Sequence, residues 1–199
     1  MGRLIEYFCI LNSPWTYMGG ARLAALAARH GARVAVRPMN FGTVLKATGG
    51  LPLAKRPPAR QAYRLVELSR WSAFLGLPLI IQPPFFPVDE TEAALLVIAA
   101  ERAGLDSLSL ATAFGRAIWE RGQNLADAAV IDVTVAEMGL DAADLRHRFS
   151  RVELAALHEE NTQAALASGV FGAPSYVLDG ELFWGQDRLD FLEQALASK

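Results

Sequence analysis

The sequence predicts an α/β fold whose sheet is assembled from the two ends of the chain, with a long helical stretch between them. Three observations predict it. An apolar strand-like run, Leu4 to Leu11, passes directly into Asn12-Ser13-Pro14-Trp15-Thr16-Tyr17, the start of a helix running to about His30. A second apolar run, Arg33 to Pro38, follows that helix. At the far end, Gly169 to Val177 leads into a strand, Asp179-Gly180 makes a two-residue turn, and Glu181 to Trp184 returns ahead of a last helix from about Gln186 to Ser198.

The first helix has a chemically informative start. Pro14 fits the first turn because its missing N–H would be unpaired there anyway, which puts Ser13 at the N-cap. A hydroxyl at the positive end of a helix, beside free backbone amides, stabilises an anion such as a thiolate. At the other end Pro174 cannot donate to a ladder, so it belongs at a strand edge or in a special turn, and a cis Ala173–Pro174 bond suits that place. Strand, helix and strand, then strand, hairpin and helix, is the thioredoxin order. In it the first helix's N-terminus and the proline before the third strand face one another.

Between the ends, Phe41 to Ser168 reads as helices. Ala59 to Gly76 carries Ala62, Leu65, Leu68 or Ser69, Ser72 and Leu75 on one face. Asp89 with Glu92 resembles a capping box for a helix ending at Gly104, and Asp106 starts another that Gly122 stops. Ala126 to Met138, Asp141 to Phe149 and Val152 to Ser168 complete the series. The proline-rich Leu77 to Pro87 reads as an ordered connection at a pocket rim. The expected division is a discontinuous thioredoxin-like domain, 1–40 with 169–199, and a helical insertion domain, 41–168.

Composition narrows the function. The 199 residues can bury a sizeable core without disulfide staples. A net charge of −2, from 19 basic and 21 acidic residues, leaves no electrostatic footprint for nucleic acid. No apolar stretch reaches membrane-spanning length, and the N-terminus lacks a signal-peptide pattern, so a cytoplasmic location is expected. Cys9 is the only cysteine, mid-strand between Phe8 and Ile10, and reads as a buried, inert thiol. Positions 13 and 16 hold Ser and Thr where a dithiol oxidoreductase would carry its cysteine pair, which excludes that activity. His158-Glu159-Glu160-Asn161-Thr162 lacks the second histidine of a zinc motif, His30 and His147 read as solvated, and no metal site is expected.

Asn12 to Tyr17, Leu45-Lys46-Ala47-Thr48-Gly49, Ser69-Arg70-Trp71 and Gly169 to Leu189, with Phe183-Trp184-Gly185-Gln186-Asp187-Arg188-Leu189, resemble the 2-hydroxychromene-2-carboxylate isomerases. These are glutathione-dependent relatives of the kappa-class glutathione transferases, in the DsbA-like branch of the thioredoxin superfamily. The resemblance implies a thioredoxin-like α/β fold with a large all-helical insertion, glutathione as cofactor, a small aromatic acid as substrate and a homodimer. It explains a thioredoxin scaffold without a reactive cysteine, because glutathione brings its own thiol. Ser13 would then be the catalytic residue, donating to the thiolate, and Ala173, beside Pro174, would present backbone groups to the peptide. Trp184, Gly185, Gln186 and Asp187 match the family's glutathione-contacting stretch, with Asp187 placed to receive the γ-glutamyl ammonium.

For the aromatic acid, the resemblance points to Lys46 as the carboxylate's partner, with Lys55 and Arg56 as further candidates; Trp15, Phe86 and Trp184 read as ring-stacking walls or, more simply, as core or pocket lining. Where the family often has an Asn-Arg step, this chain has Ala54-Lys55-Arg56. The implied reaction converts 2-hydroxychromene-2-carboxylate to trans-o-hydroxybenzylidenepyruvate, in the catabolism of aromatic hydrocarbons such as naphthalene. The thiolate adds to an unsaturated carbon, the resulting single bond rotates, and elimination regenerates glutathione. Two other readings stay open: a kappa-like transferase or peroxidase that consumes glutathione, and a noncatalytic binding domain on the same scaffold.

Overall fold

The central strand β1, Leu4–Cys9, pairs in parallel with β2, Arg33–Pro38, and antiparallel with β3, Ser175–Leu178; β3 pairs antiparallel with β4, Glu181–Trp184, giving the order β2-β1-β3-β4. This is a computed structural model, and it describes residues 2–198. Period-two alternation along β1 sorts its side chains between two cores. Ile5, Tyr7 and Cys9 enter the main one, while Phe8 enters a smaller one with Met39, Val44, Val170 and Val177. In β3 the same alternation sends Tyr176 and Leu178 to the main core and Val177 to the smaller. Tyr7 and Tyr176 stack across the strands with ring centroids 5.4 Å apart.

The predicted strand to Leu11 stops at Cys9, where β2 also ends at Pro38. Beyond it the Ser13 amide turns back to the Ile10 carbonyl, and the Leu11 and Asn12 amides go to the Glu90 carboxylate, so no ladder can continue. Helix α1, Pro14–His30, follows, stopped by Gly31 in the left-handed conformation at φ 58°.

Helices α2, Phe41–Thr48, and α3, Pro58–Leu75, are separated by a 3-10 turn at Leu53–Lys55. Then come α4, Thr91–Arg102; α5, Ser107–Trp119; α6, Ala128–Glu137; α7, Ala142–Arg148; and α8, Arg151–Ala167. Asp127 and Ser150 cap α6 and α8, so α6 starts two residues later and α8 one residue earlier than their apolar patterns suggest. The capping box expected at Asp89 and Glu92 is not formed. Asp89 accepts from the amide and hydroxyl of Thr91, whereas Glu92 is drawn off to an ion pair with Arg151 at 2.7 Å. The last helix, α9, Leu189–Ala197, is preceded by a 3-10 turn over Gln186–Arg188, three residues the sequence places in the helix itself.

Helix α4 is buried on every side from Ala93 to Ala100, as an all-apolar helix inside a domain must be. It joins the main core, which also takes in Ile5 of β1, Leu23 of α1, Leu110 and Phe114 of α5, Leu154 of α8 and Leu192 of α9. The division at 40/41 and 168/169 is therefore proposed as one of chain topology, with packing running across it. On the opposite sheet face Thr162 of α8, the residue that replaces a zinc-motif histidine, accepts from the Asn40 amide at 2.9 Å and donates to the His158 carbonyl at 2.9 Å. It pins α8 to the start of α2. Among the described residues no helix is long and apolar enough to cross a membrane.

Candidate functional site

Ser13 occupies the N-cap of α1 with extended backbone, φ −78° and ψ 124°, and its Oγ accepts from the Thr16 amide at 3.2 Å. The capping bond uses a lone pair and leaves the hydroxyl proton free to be donated elsewhere. Its acceptor is the Ala173 carbonyl, at 3.5 Å, beyond the usual range for an O–H···O bond. The Ala173–Pro174 bond is cis, as the sequence suggests, and Phe86–Pro87 is cis as well. The Pro174 carbonyl then accepts from the Gly185 amide at 2.9 Å. Two contacts thus bring Ser13, Ala173-Pro174 and Gly185 together from positions far apart in the chain.

Trp184 is half exposed, with its ring edge-on to Phe171 at 4.7 Å between centroids. Its indole lies over Gly172, where any Cβ would strike Nε1, so the loop reaches Ala173 only because residue 172 has no side chain. Gly185 is in a conformation reserved for glycine, φ 103° and ψ 147°. Gln186 is buried, and both its side-chain and backbone oxygens accept from Arg22 Nη1, at 2.6 and 3.0 Å. Its side chain is engaged inside the protein. Asp187 is exposed, 3.2 Å from Arg188.

A half-buried residue, Glu90, meets the backbone just before Ser13. Glu90 accepts from both the Leu11 and Asn12 amides, and the Asn12 side chain bonds the Val88 carbonyl at 2.5 Å and the Val88 amide at 3.3 Å. Burial pushes the Glu90 carboxyl up to about 7, against the pull of its amide donors. Cys9 is fully buried, and desolvation, with the negative charges of Glu90 and Glu101 repelling a thiolate, pushes its thiol well up, in keeping with an inert cysteine.

Beside the site lies a cleft of about 420 Å³ whose walls include Leu53, Gln61, Arg64, Leu65, Ile81 and Phe86. Phe86 is two residues before Val88, whose carbonyl accepts from the Asn12 side chain, although neither Asn12 nor Ser13 is among the walls of this cleft. Its outer rim belongs to the Leu77–Pro87 connection, held in place by the Ile80 amide on the Trp119 carbonyl at 2.7 Å and by Tyr17, whose hydroxyl lies 2.8 Å from both the Pro78 carbonyl and Glu120. A larger cleft, about 540 Å³, runs along β4 and α9 and includes Trp184 and Phe191; Ser13 is not among its walls.

Of the residues expected to meet an aromatic acid, Phe86 lines the smaller cleft. Trp15 packs against the main core instead. Lys46 is exposed in the last turn of α2, Lys55 is exposed in the 3-10 turn, and neither is in the cleft wall. Arg56 is half-buried, with its Nε on the Leu51 carbonyl at 3.0 Å. Sequence reasoning missed Arg64 and Glu90. Arg64 precedes Leu68 by one helical turn, which puts a cation on the apolar face of α3, a readable signal. Glu90 carries no such signal, because the Leu11 and Asn12 amides that meet its carboxylate are remote from it in sequence.

The family model for the DSBA-like thioredoxin domain matches residues 4–197. The 2-hydroxychromene-2-carboxylate isomerase of Sphingobium xenophagum is 29% identical over 197 residues, covering 98% of this chain and 99% of that protein. Glutathione S-transferase kappa 1 of Rattus norvegicus is 23% identical over 211 residues, covering 99% and 92%. A solved structure of a 2-hydroxychromene-2-carboxylate isomerase superposes with a TM-score of 0.80 at 24% identity, over 98% of this chain and 94% of that one.

Proposed function

The chain belongs to the DSBA-like thioredoxin domain family, and within it we propose that it is a glutathione-dependent isomerase of an unsaturated aromatic acid, of the 2-hydroxychromene-2-carboxylate to trans-o-hydroxybenzylidenepyruvate type. The observation that carries the reading is the under-used Ser13 hydroxyl at the N-terminus of a 17-residue helix, facing Ala173-Pro174, in a chain with no second cysteine. Similarity along the full length to a protein named as that isomerase supports it.

The residues present fit glutathione. The Ser13 O–H has only a distant acceptor, Ala173 makes no amide hydrogen bond among the described residues, and Asp187 stands exposed within the 3-10 turn before α9. When bound, glutathione supplies a thiol nucleophile that adds to the substrate's unsaturated carbon and leaves again after rotation. Ser13 donates to the sulfur and, with the positive end of the α1 dipole, lowers the cost of its negative charge. Ala173 offers backbone groups to the extended peptide, as at a sheet edge, beside the Pro174 turn. Asp187 receives the ammonium of the γ-glutamyl end, and Trp184 and Gly185 shape the backbone around it, while Gln186 contributes through its fixed position against Arg22. The substrate's ring lies in the Phe86 cleft. The proposal includes a cytoplasmic homodimer serving the breakdown of aromatic compounds.

Incubating the protein with 2-hydroxychromene-2-carboxylate and glutathione tests this reading. The expected result is an equilibrium of the two isomers with all glutathione recovered. A glutathione conjugate or disulfide accumulating in step with turnover would point instead to a kappa-like transferase or peroxidase.

A further inference from the structure

Arg64 is a cation without a counter-charge. No carboxylate stands within ion-pair reach of its guanidinium among the described residues, whereas Arg70, on the same helix, is held by Glu67 at 2.8 Å. Arg64 lies over the Phe86 ring at 5.2 Å from its centroid and over the Trp119 ring at 5.8 Å, and it lines the cleft that Phe86 also walls. Such stacking offsets part of the cost of half-burying the charge and fixes the plane of the guanidinium. The remaining cost is visible: desolvation, helped by the nearby Arg56 charge, pulls its pKa down to about 10. Donors outnumber acceptors here, for Trp119 Nε1, in the same stack, is buried with no partner.

We propose that Arg64 is the specificity-determining residue of this cleft and reads the carboxylate of a planar aromatic acid whose ring lies against Phe86. Two properties of the site select that class. The fork of N–H donors matches a carboxylate's two oxygens, and the walls beside it, Leu53, Leu65, Ile81 and Phe86, are apolar and aromatic. A volume of about 420 Å³ lies in the range of small-molecule sites. In this proposal the carboxylate is met by Arg64, which lines the cleft, whereas Lys46, the partner implied by resemblance, is exposed on α2 outside the cleft wall. The inference rests on the isomerase reading only for the choice of an aromatic acid.

The test is binding without glutathione. Calorimetric titration of the full chain with trans-cinnamate and with trans-cinnamamide is expected to show the acid binding at least about tenfold tighter than the amide. Arg64→Met should bring the acid down to the level of the amide, and Arg64→Lys should keep part of the preference. If Arg64→Met loses both ligands, Arg64→Lys decides: a retained acid preference supports the proposal and a lost one overturns it. Equal affinity for acid and amide in the wild type, no binding of either, or an acid preference that survives Arg64→Met and vanishes in Lys46→Met or Lys55→Met each overturns it. Since glutathione is absent, failure of isomerase turnover leaves this result standing, and the reverse holds too.

Discussion

The Ser13 hydroxyl and the Ala173 carbonyl face each other at 3.5 Å, joining the helix α1 N-terminus to the cis-proline turn across 160 residues of sequence. That separation is too long for a strong O–H···O bond, so the proton of a buried serine is held weakly and is available to a better acceptor. A thiolate is such an acceptor, and its charge strengthens the bond.

At the opposite end of the proposed peptide site, Asp187→Ala should weaken glutathione binding only severalfold. Its carboxylate is exposed and already near Arg188, so water screens the pairing and the loss is about 1 kcal/mol or less. Calorimetric titration with reduced glutathione checks this. An unchanged dissociation constant would move the γ-glutamyl end elsewhere.

Gly172→Ala should cost stability and disturb the site together. A Cβ at 172 meets the Trp184 indole, so either the indole or the Ala173 loop must move. Overpacking of this kind costs about 1–3 kcal/mol. A lower Tm with a changed Trp184 fluorescence is the expected outcome, and a variant with wild-type Tm and spectrum would show that the loop has room to spare.

Glu90 predicts the pH dependence of stability. Its folded pKa, about 7, lies above the unfolded value of about 4.5, so the folded state binds the proton more tightly. Stability is then highest with Glu90 protonated and declines as pH rises from about 4.5 to about 7, by something of order 3 kcal/mol once the group is fully ionised. Denaturant titrations of the wild type at steps from pH 4.5 to 8 should show this decline superimposed on other titrations. In Glu90→Gln that component should vanish, although the baseline also drops, because the amide turns one acceptor facing Leu11 and Asn12 into a donor. Parallel pH profiles for the two proteins would contradict the assignment.

Local signals accounted for the frame of the molecule. The Ser13-Pro14 start, the Asp179-Gly180 turn and the glycine stops are written in neighbouring residues, so both ends of the fold and the facing of Ser13 and Pro174 were legible. Where competing partners decided, the sequence was silent. Glu92 forms an ion pair with Arg151 rather than a cap, and Gln186 turns inward to Arg22, and both partners are remote in sequence. For Lys46 the only signal is the resemblance of Leu45 to Gly49. The placing of Arg64 over Phe86 and Trp119 depends on how α3 and the Leu77–Pro87 connection close the cleft.

The central claim is that Ser13 holds a glutathione thiolate. Thiolate absorbance of the glutathione complex, followed in the ultraviolet against pH for the wild type and Ser13→Ala, tests it most directly. With Ser13 as the donor, the variant should stay folded and keep most of its glutathione affinity, while the thiol pKa rises and turnover falls roughly a hundredfold, as losing one donor at a dry anionic site typically costs about 2.7–4 kcal/mol. Superimposable titration curves with retained turnover would contradict the account and leave Ser13 as a helix cap alone.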